Sequence, residues 1–289
     1  MWQQSRLNGC RFAMTGAITV TKYTIAAWSS LSAYALRQSR QISHFIDANL
    51  RRIMIGWLVA VALLGAAKIA VLGHLIPQAT SWADLPRLML PYALIGISPL
   101  LALYLGSRAF PSADHCTQPS IRFARLGHWQ QLRADRARRI EGYGIEGFLA
   151  SLVAGLLISI LVRLSEYALA MPAIPIRAPG WASALFYVMT LDLVSLSFLY
   201  SLCLVMALRG APLFPRMLVY TWLYDLMMQL LIAKYAVAAG DMPGDVAAAL
   251  HSYLDTNVKK VLISTAIWLP YLVMSKRINL TFRHRLRIA

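Results

Sequence analysis

The sequence predicts an all-α, polytopic transmembrane helix bundle of six spans with both termini in the cytoplasm. Three observations carry that prediction. First, 58% of the 289 residues are hydrophobic and only 14% are charged, with a mean hydropathy of +0.56, a profile far from that of soluble domains. Second, six stretches approach or exceed the roughly 20 mostly apolar residues that a helix needs to cross the hydrocarbon core. Third, lysines and arginines collect in alternate loops, as the positive-inside rule requires of a multi-pass protein. The formal charge of +16 and the pI of about 10.2 then follow from membrane sidedness, with no call for nucleic acid as a partner.

Residues 1–50 form an N-terminal extension, read as cytoplasmic or interfacial. Phe12 to Leu36 is moderately apolar but contains Lys22 and many Ser and Thr residues, which makes it a poor span. Arg6 and Arg11 before the apolar run and Ala33-Tyr34-Ala35 after it have the outline of a signal peptide. Lys22 inside the apolar part argues against that. Leu7 to Cys10 has the outline of a lipobox, yet no apolar region precedes it. Insertion of residues 12–36 and a misassigned start codon stay open as alternatives.

Residues 51–108 read as a transmembrane hairpin. Its first span, Ile53 to Ile76, follows Arg51 and Arg52, ends at Pro77, and contains Lys68 and His74. Its second, Leu88 to Leu105, carries no charge. Residues 109–143 form a basic cytoplasmic loop with Arg122, Arg125, Arg133, Arg136, Arg138 and Arg139. Residues 144–275 form a four-helix unit with spans at about Gly147 to Leu169, Trp181 to Leu208, Met217 to Ala238, and from between Val258 and Leu262 to Met274. Pro172, Pro175 and Pro179 separate the first two of these. Asp241, Asp245 and Asp255 mark an acidic loop before the last. Residues 276–289 are a basic cytoplasmic tail.

Counting Lys and Arg near each membrane end sets the orientation. They cluster before span one, between spans two and three, between four and five, and after six. Only Lys259 and Lys260, at the start of span six, run against the pattern.

Two stretches in the second half resemble a known family. Gly144 to Phe148, entering span three, is similar to a glycine-rich entry to that family's first helix, although Glu146 and Phe148 stand where Gly and Trp are expected. Ile267 to Tyr271, followed by Ser275 to Phe282, is similar to its last helix and Ser-Lys-Arg ending. From about Gly142 to the C-terminus the chain thus resembles an uncharacterised family of bacterial membrane proteins, domain of unknown function 2569. The resemblance implies a four-helix membrane unit with a cytoplasmic basic end, in the bacterial inner membrane. It implies no activity, cofactor or catalytic residue.

Charges inside the spans are the candidate chemistry, because ionisable groups in a bilayer are costly unless paired or functional. Lys68 lies 16 residues from Arg52, Arg163 lies 16 from Gly147, Asp192 lies 17 from Arg209 and Lys234 lies 18 from Arg216. All four then sit about 24–27 Å up an untilted helix, in one outer layer that Glu166 can join. This layer either pairs structurally, with Lys68 and Lys234 snorkelling outward, or lines a substrate or ion pathway. Asp225 is only 9 residues from Arg216, about 13–14 Å up and near mid-depth. The two acids are therefore expected not to touch. Asp225, with Gln229 one turn on, is the candidate proton or cation site, and the alternative is a protonated Asp bonded to Ser195, Ser197 or Thr265.

Enzyme readings fail on missing parts. Tyr224-Asp225 matches the first acid of intramembrane aspartyl proteases, but no Gly-x-Gly-Asp follows. No H-E-x-x-H, Walker A, G-x-S-x-G or G-x-G-x-x-G occurs. Cys10, Cys116 and Cys203 are too scattered for a disulfide framework or zinc site, and Asp114-His115-Cys116 supplies too few ligands for a metal. No cofactor is expected.

The arginine loop interleaves Phe123, Leu126, Trp129 and Leu132 with its cations. A partly helical segment there is expected to rest on anionic lipid headgroups, with Lys276 and Arg277 as further contacts. A solvated loop that merely marks topology explains the arginines equally well. The favoured functional expectation is a non-enzymatic structural, assembly or envelope role, with a membrane-protein partner or a homo-oligomer. The alternative is a small-solute or ion transporter or channel built on Asp225 and the outer charged layer.

Overall fold

The computed structural model describes Gln38, Gln41, Gln118 and residues 44–74, 84–110, 128–175, 178–238 and 242–287. Eight helices make up 83% of these residues. In chain order they are α1 (His44–His74), α2 (Leu85–Ala109), α3 (Ala134–Arg139), α4 (Phe148–Ala170), α5 (Gly180–Leu208), α6 (Phe214–Ala238), α7 (Gly244–Met274) and α8 (Lys276–Arg283). Two three-residue strands, β1 (Trp129–Gln131) and β2 (Arg285–Arg287), pair antiparallel with Gln130 opposite Leu286. Residues 1–37, Asp114 to Cys116, Arg122, Arg125 and Asp241, for which the sequence raises expectations, lie outside the described residues.

Helices α1, α2, α4 and α5 are long and apolar enough to cross a membrane, and α7 with α8, bent by 69° at Ser275, makes a fifth if the pair is one span. Helix α6 is 25 residues long, about 37 Å, but it carries Asp225, Gln229 and Lys234 in its interior.

Helix α5 is the centre of the bundle, packing against α2, α4 and α6. Its C-terminus is closed by a Schellman turn. Gly210, at φ +64°, lets its own N–H reach Ala207 O at 2.9 Å and the Ala211 N–H reach Met206 O at 2.8 Å. Pro215 then sits in the first turn of α6, where a missing N–H costs nothing. The short turn makes α5 and α6 an antiparallel hairpin, and that hairpin brings Asp192 and Asp225 onto adjacent helices.

Close approach of α1 to α2 depends on Gly65. A Cβ there would lie 2.9 Å from Cγ of Tyr92, itself 4% exposed. The ring root is anchored by its own helix and cannot retreat. Gly65→Val is therefore expected to destabilise the detergent-solubilised protein by about 1–3 kcal/mol, read as a lowered Tm. An unchanged Tm would show that the hairpin has slack.

Two expectations need correction. Helix α7 begins at Gly244, not near Val258, so Asp245 and Asp255 are helical. Pro243 and Asp245 make a sound helix start, and Leu250, Leu254, Asn257 and Val261 form one buried face. Lys259 bonds Asp255 at 2.6 Å, one turn away. The C-terminal tail is likewise no loose end, because Ile278, Leu280 and Phe282 are buried and Phe282 packs on Phe214 with ring centroids 4.9 Å apart.

The arginine segment is part of the same cap. Its residues 129–131 form a strand and Ala134–Arg139 a short helix, so its described part is partly helical, and the guanidinium of Arg285 lies 4.7 Å from the centre of the Trp129 ring. Asn279 organises the turn, its Oδ1 accepting from Arg283 Nη1 at 3.0 Å and Arg285 Nε at 2.7 Å. Burial beside Arg285 and Arg216 lowers the Arg283 guanidinium to about 10. Arg277 bonds Glu146 at 3.3 Å and the Gly144 carbonyl at 3.5 Å, so it is engaged within the cap. Arg133, Arg136, Arg138, Arg139 and Lys276 are exposed.

Candidate functional site

The charged groups of three helices converge inside the bundle. On α5, Asp192 and Tyr200 are eight residues apart and share a face, as do Asp225 and Gln229 one turn apart on α6. Arg163 reaches them from α4. All four α5 and α6 residues are buried, Asp225 completely.

Asp225 holds the principal ion pair. Its Oδ2 accepts from Arg163 Nη2 and from the Tyr200 hydroxyl at 2.9 Å, and its Oδ1 accepts from Gln229 Nε2 at 3.4 Å. The Arg163 guanidinium also lies 5.6 Å from the centre of the Tyr200 ring. Asp192 is held more loosely, with Oδ2 3.6 Å from Arg163 Nη1 and Oδ1 3.5 Å from Gln229 Nε2. Arg163 and Gln229 thus each bridge the two acids. The expectation that Asp225 stands alone needs correction: it shares Arg163 and Gln229 with Asp192, and Ser195, Ser197 and Thr265 are not its partners. Ser195 bonds the Asp192 carbonyl, and the Ser197 and Thr265 hydroxyls are buried without a partner.

Beside this network lies a cavity of about 230 Å³ between α4 and α7, lined by Arg163, Glu166, Tyr200, Asn257, Lys260 and Ser264 among others. Its walls carry unspent polar capacity. Asn257 Nδ2 there, and Gln229 Oε1 within the network, are buried without a hydrogen-bond partner, a costly arrangement that suits a polar occupant.

The other members of the expected layer go elsewhere. Glu166 pairs with Lys260 of α7, both of them lining the cavity, which gives a partner to one of the two lysines that break the positive-inside pattern. Lys260 is 49% exposed, so Lys260→Ala is expected to change stability by less than about 1 kcal/mol. A larger fall in Tm would mean that this pair holds α7 in place. Lys68 caps α4, donating to the carbonyls of Ala168 at 2.6 Å and Met171 at 2.9 Å, where a cation also complements the helix dipole. Lys234 is exposed. The layer is therefore one buried network of Arg163, Asp192, Asp225 and Gln229, with Lys68 and Lys234 outside it.

Sequence reasoning missed Tyr200, Asn257 and Lys260 as site residues. Tyr200 had a readable signal in its i+8 spacing from Asp192. Among the described residues no group of His, Cys, Asp and Glu is placed to hold a metal ion, and Cys203 is a buried free thiol. Comparisons with family models, with curated proteins and with solved structures find no match to this chain.

Proposed function

We propose that this protein is a non-enzymatic, proton- or cation-linked transporter or channel for a small solute, with the Arg163, Asp192 and Asp225 network as its exchanging site. One observation carries the reading: a single buried guanidinium serves two buried carboxylates. Two ionised acids against one cation leave a net negative charge where desolvation is expensive. The network is neutral only when one acid holds a proton or a second cation enters. Asp225 receives three donors and Asp192 only two long contacts. The exchangeable charge therefore belongs on Asp192, and the adjoining cavity supplies polar space beside its partner Arg163. Each turnover would load and discharge this acid as Arg163 and Gln229 adjust between their two partners.

The test is a proteoliposome assay that reads internal pH under an imposed solute or cation gradient. Solute-dependent proton movement supports the reading, and flux insensitive to both acids sinks it.

A structural or assembly role is the second reading, favoured by the way Arg163 ties α4 to both α5 and α6. It expects a partner chain that stays bound in mild detergent. In either case we read six spans with both termini in the cytoplasm of a bacterial inner membrane. Helix α6 supports that count, lying between α5 and α7 with its acid and amide turned inward. The kinship of residues 142–289 with domain of unknown function 2569 is a proposal that rests on the sequence resemblance alone; the two stretches that suggest it lie against each other. The Gly144 N–H bonds Thr281 at 3.0 Å, and Phe148 stacks on Trp268 at 4.4 Å.

A further inference from the structure

A second cavity, of about 650 Å³, lies between α1, α2 and α5 and shares no lining residue with the cavity beside the buried network. Its lining divides by chemistry. Met54, Leu100, Leu103 and Val205 are among the apolar residues that give it a greasy wall, while Arg51 and Arg209 stand at its polar end. Tyr104 and Ser107 accompany them, and Arg108 lies over the Tyr104 ring at 4.5 Å. One acid, Asp47, shares that rim with the arginines.

All three arginines occupy the same end of the bundle. Arg108 is in the last turn of α2, Arg209 caps the C-terminus of α5, and Arg51 lies in the N-terminal part of α1. This is the end that the Lys and Arg count places in the cytoplasm. An apolar trough within the bilayer that ends in guanidinium groups at headgroup level has the chemistry of a phospholipid with a negative headgroup. Arginine forks suit phosphate oxygens, and the trough suits an acyl chain. A zwitterionic headgroup would bring an ammonium against these cations and be disfavoured.

The geometry points to a binding site for an anionic glycerophospholipid of the cytoplasmic leaflet, its phosphate on Arg51 and Arg209 and one acyl chain between α1, α2 and α5. The site is separate from the proposed exchange network, so either can fail without the other.

The full-length protein, purified in mild detergent, is tested by native mass spectrometry and by thermal melting with added phosphatidylglycerol or phosphatidylcholine. Retention of phosphatidylglycerol and a Tm raised by it alone are expected. Arg51→Gln and Arg209→Gln are each expected to weaken retention about five-fold, and Leu103→Trp, which fills the trough, to abolish it. Equal effects of the two lipids, or a preference unchanged in the double arginine variant, would overturn the site. A photoreactive residue at position 103 decides the occupant: a cross-link to phosphatidylglycerol supports the proposal. A cross-link to residues 1–37 of the chain, or to a second copy, overturns it.

Discussion

Replacing Arg163 by leucine is expected to lower the stability of the bundle by about 3–5 kcal/mol, the usual cost of stripping a buried ion pair of one partner. The side chain is 13% exposed and meets two acids, one of them fully buried. Leucine would fill the space but leave Asp192 and Asp225 facing each other without a cation. Both acids would then have to take up protons to fold, so the loss is largest at high pH and shrinks as pH falls. Adding Asp192→Leu and Asp225→Leu to Arg163→Leu should recover most of the stability, since an apolar replacement of a whole buried network is often neutral. Melting curves across pH measure both effects. A single variant as stable as the parent at every pH would mean that the guanidinium does not hold the acids together.

The two aspartates are expected to separate when each is changed to asparagine. Asp192→Asn keeps the Arg163 pair with Asp225, the Tyr200 bond and a neutral network. Its stability should stay within about 1 kcal/mol of the parent, because only long contacts are altered. Its solute-dependent proton movement should vanish, because the acid that remains, Asp225, is held ionised by its pair with Arg163. Asp225→Asn also leaves one acid for one cation, but it removes the charge that receives three donors. A cost of about 1–3 kcal/mol is expected as well as loss of coupling. Coupling that survives in Asp192→Asn would move the exchanging role to Asp225 or remove it altogether.

Much of the fold is legible because length and apolar character dominate membrane helices. Leu85–Ala109, Phe148–Ala170 and Gly180–Leu208 lie within a few residues of the expected spans. Start signals decide what was less legible: α7 runs back to Gly244 because Pro243, Asp245 and three alanines favour a helix on which the apolar count is low. The site was half legible. Every member of the central network except Tyr200 was named from the sequence, but Asp225 was placed apart from Asp192 and Arg163. Arg163 is 15 residues into α4 and Asp225 is 11 into α6, an offset of about 6 Å along untilted axes. An extended arginine side chain spans that offset, and Gln229, one turn above Asp225, is level with Arg163. Counting depth by backbone position leaves out the reach of the side chain. Lys68 was misplaced for a different reason: its partners are backbone carbonyls at a helix end, which no charge pattern reveals.

The central claim is that the buried network carries one proton on its two acids, with Asp192 as the holder. Infrared difference spectroscopy of the protein in lipid at neutral pH tests this directly, through the C=O stretch of a protonated carboxylic acid. The account predicts one such band that shifts in deuterated buffer and is lost in Asp192→Asn. A network with no protonated-acid band, both carboxylates being ionised beside Arg163, would contradict it.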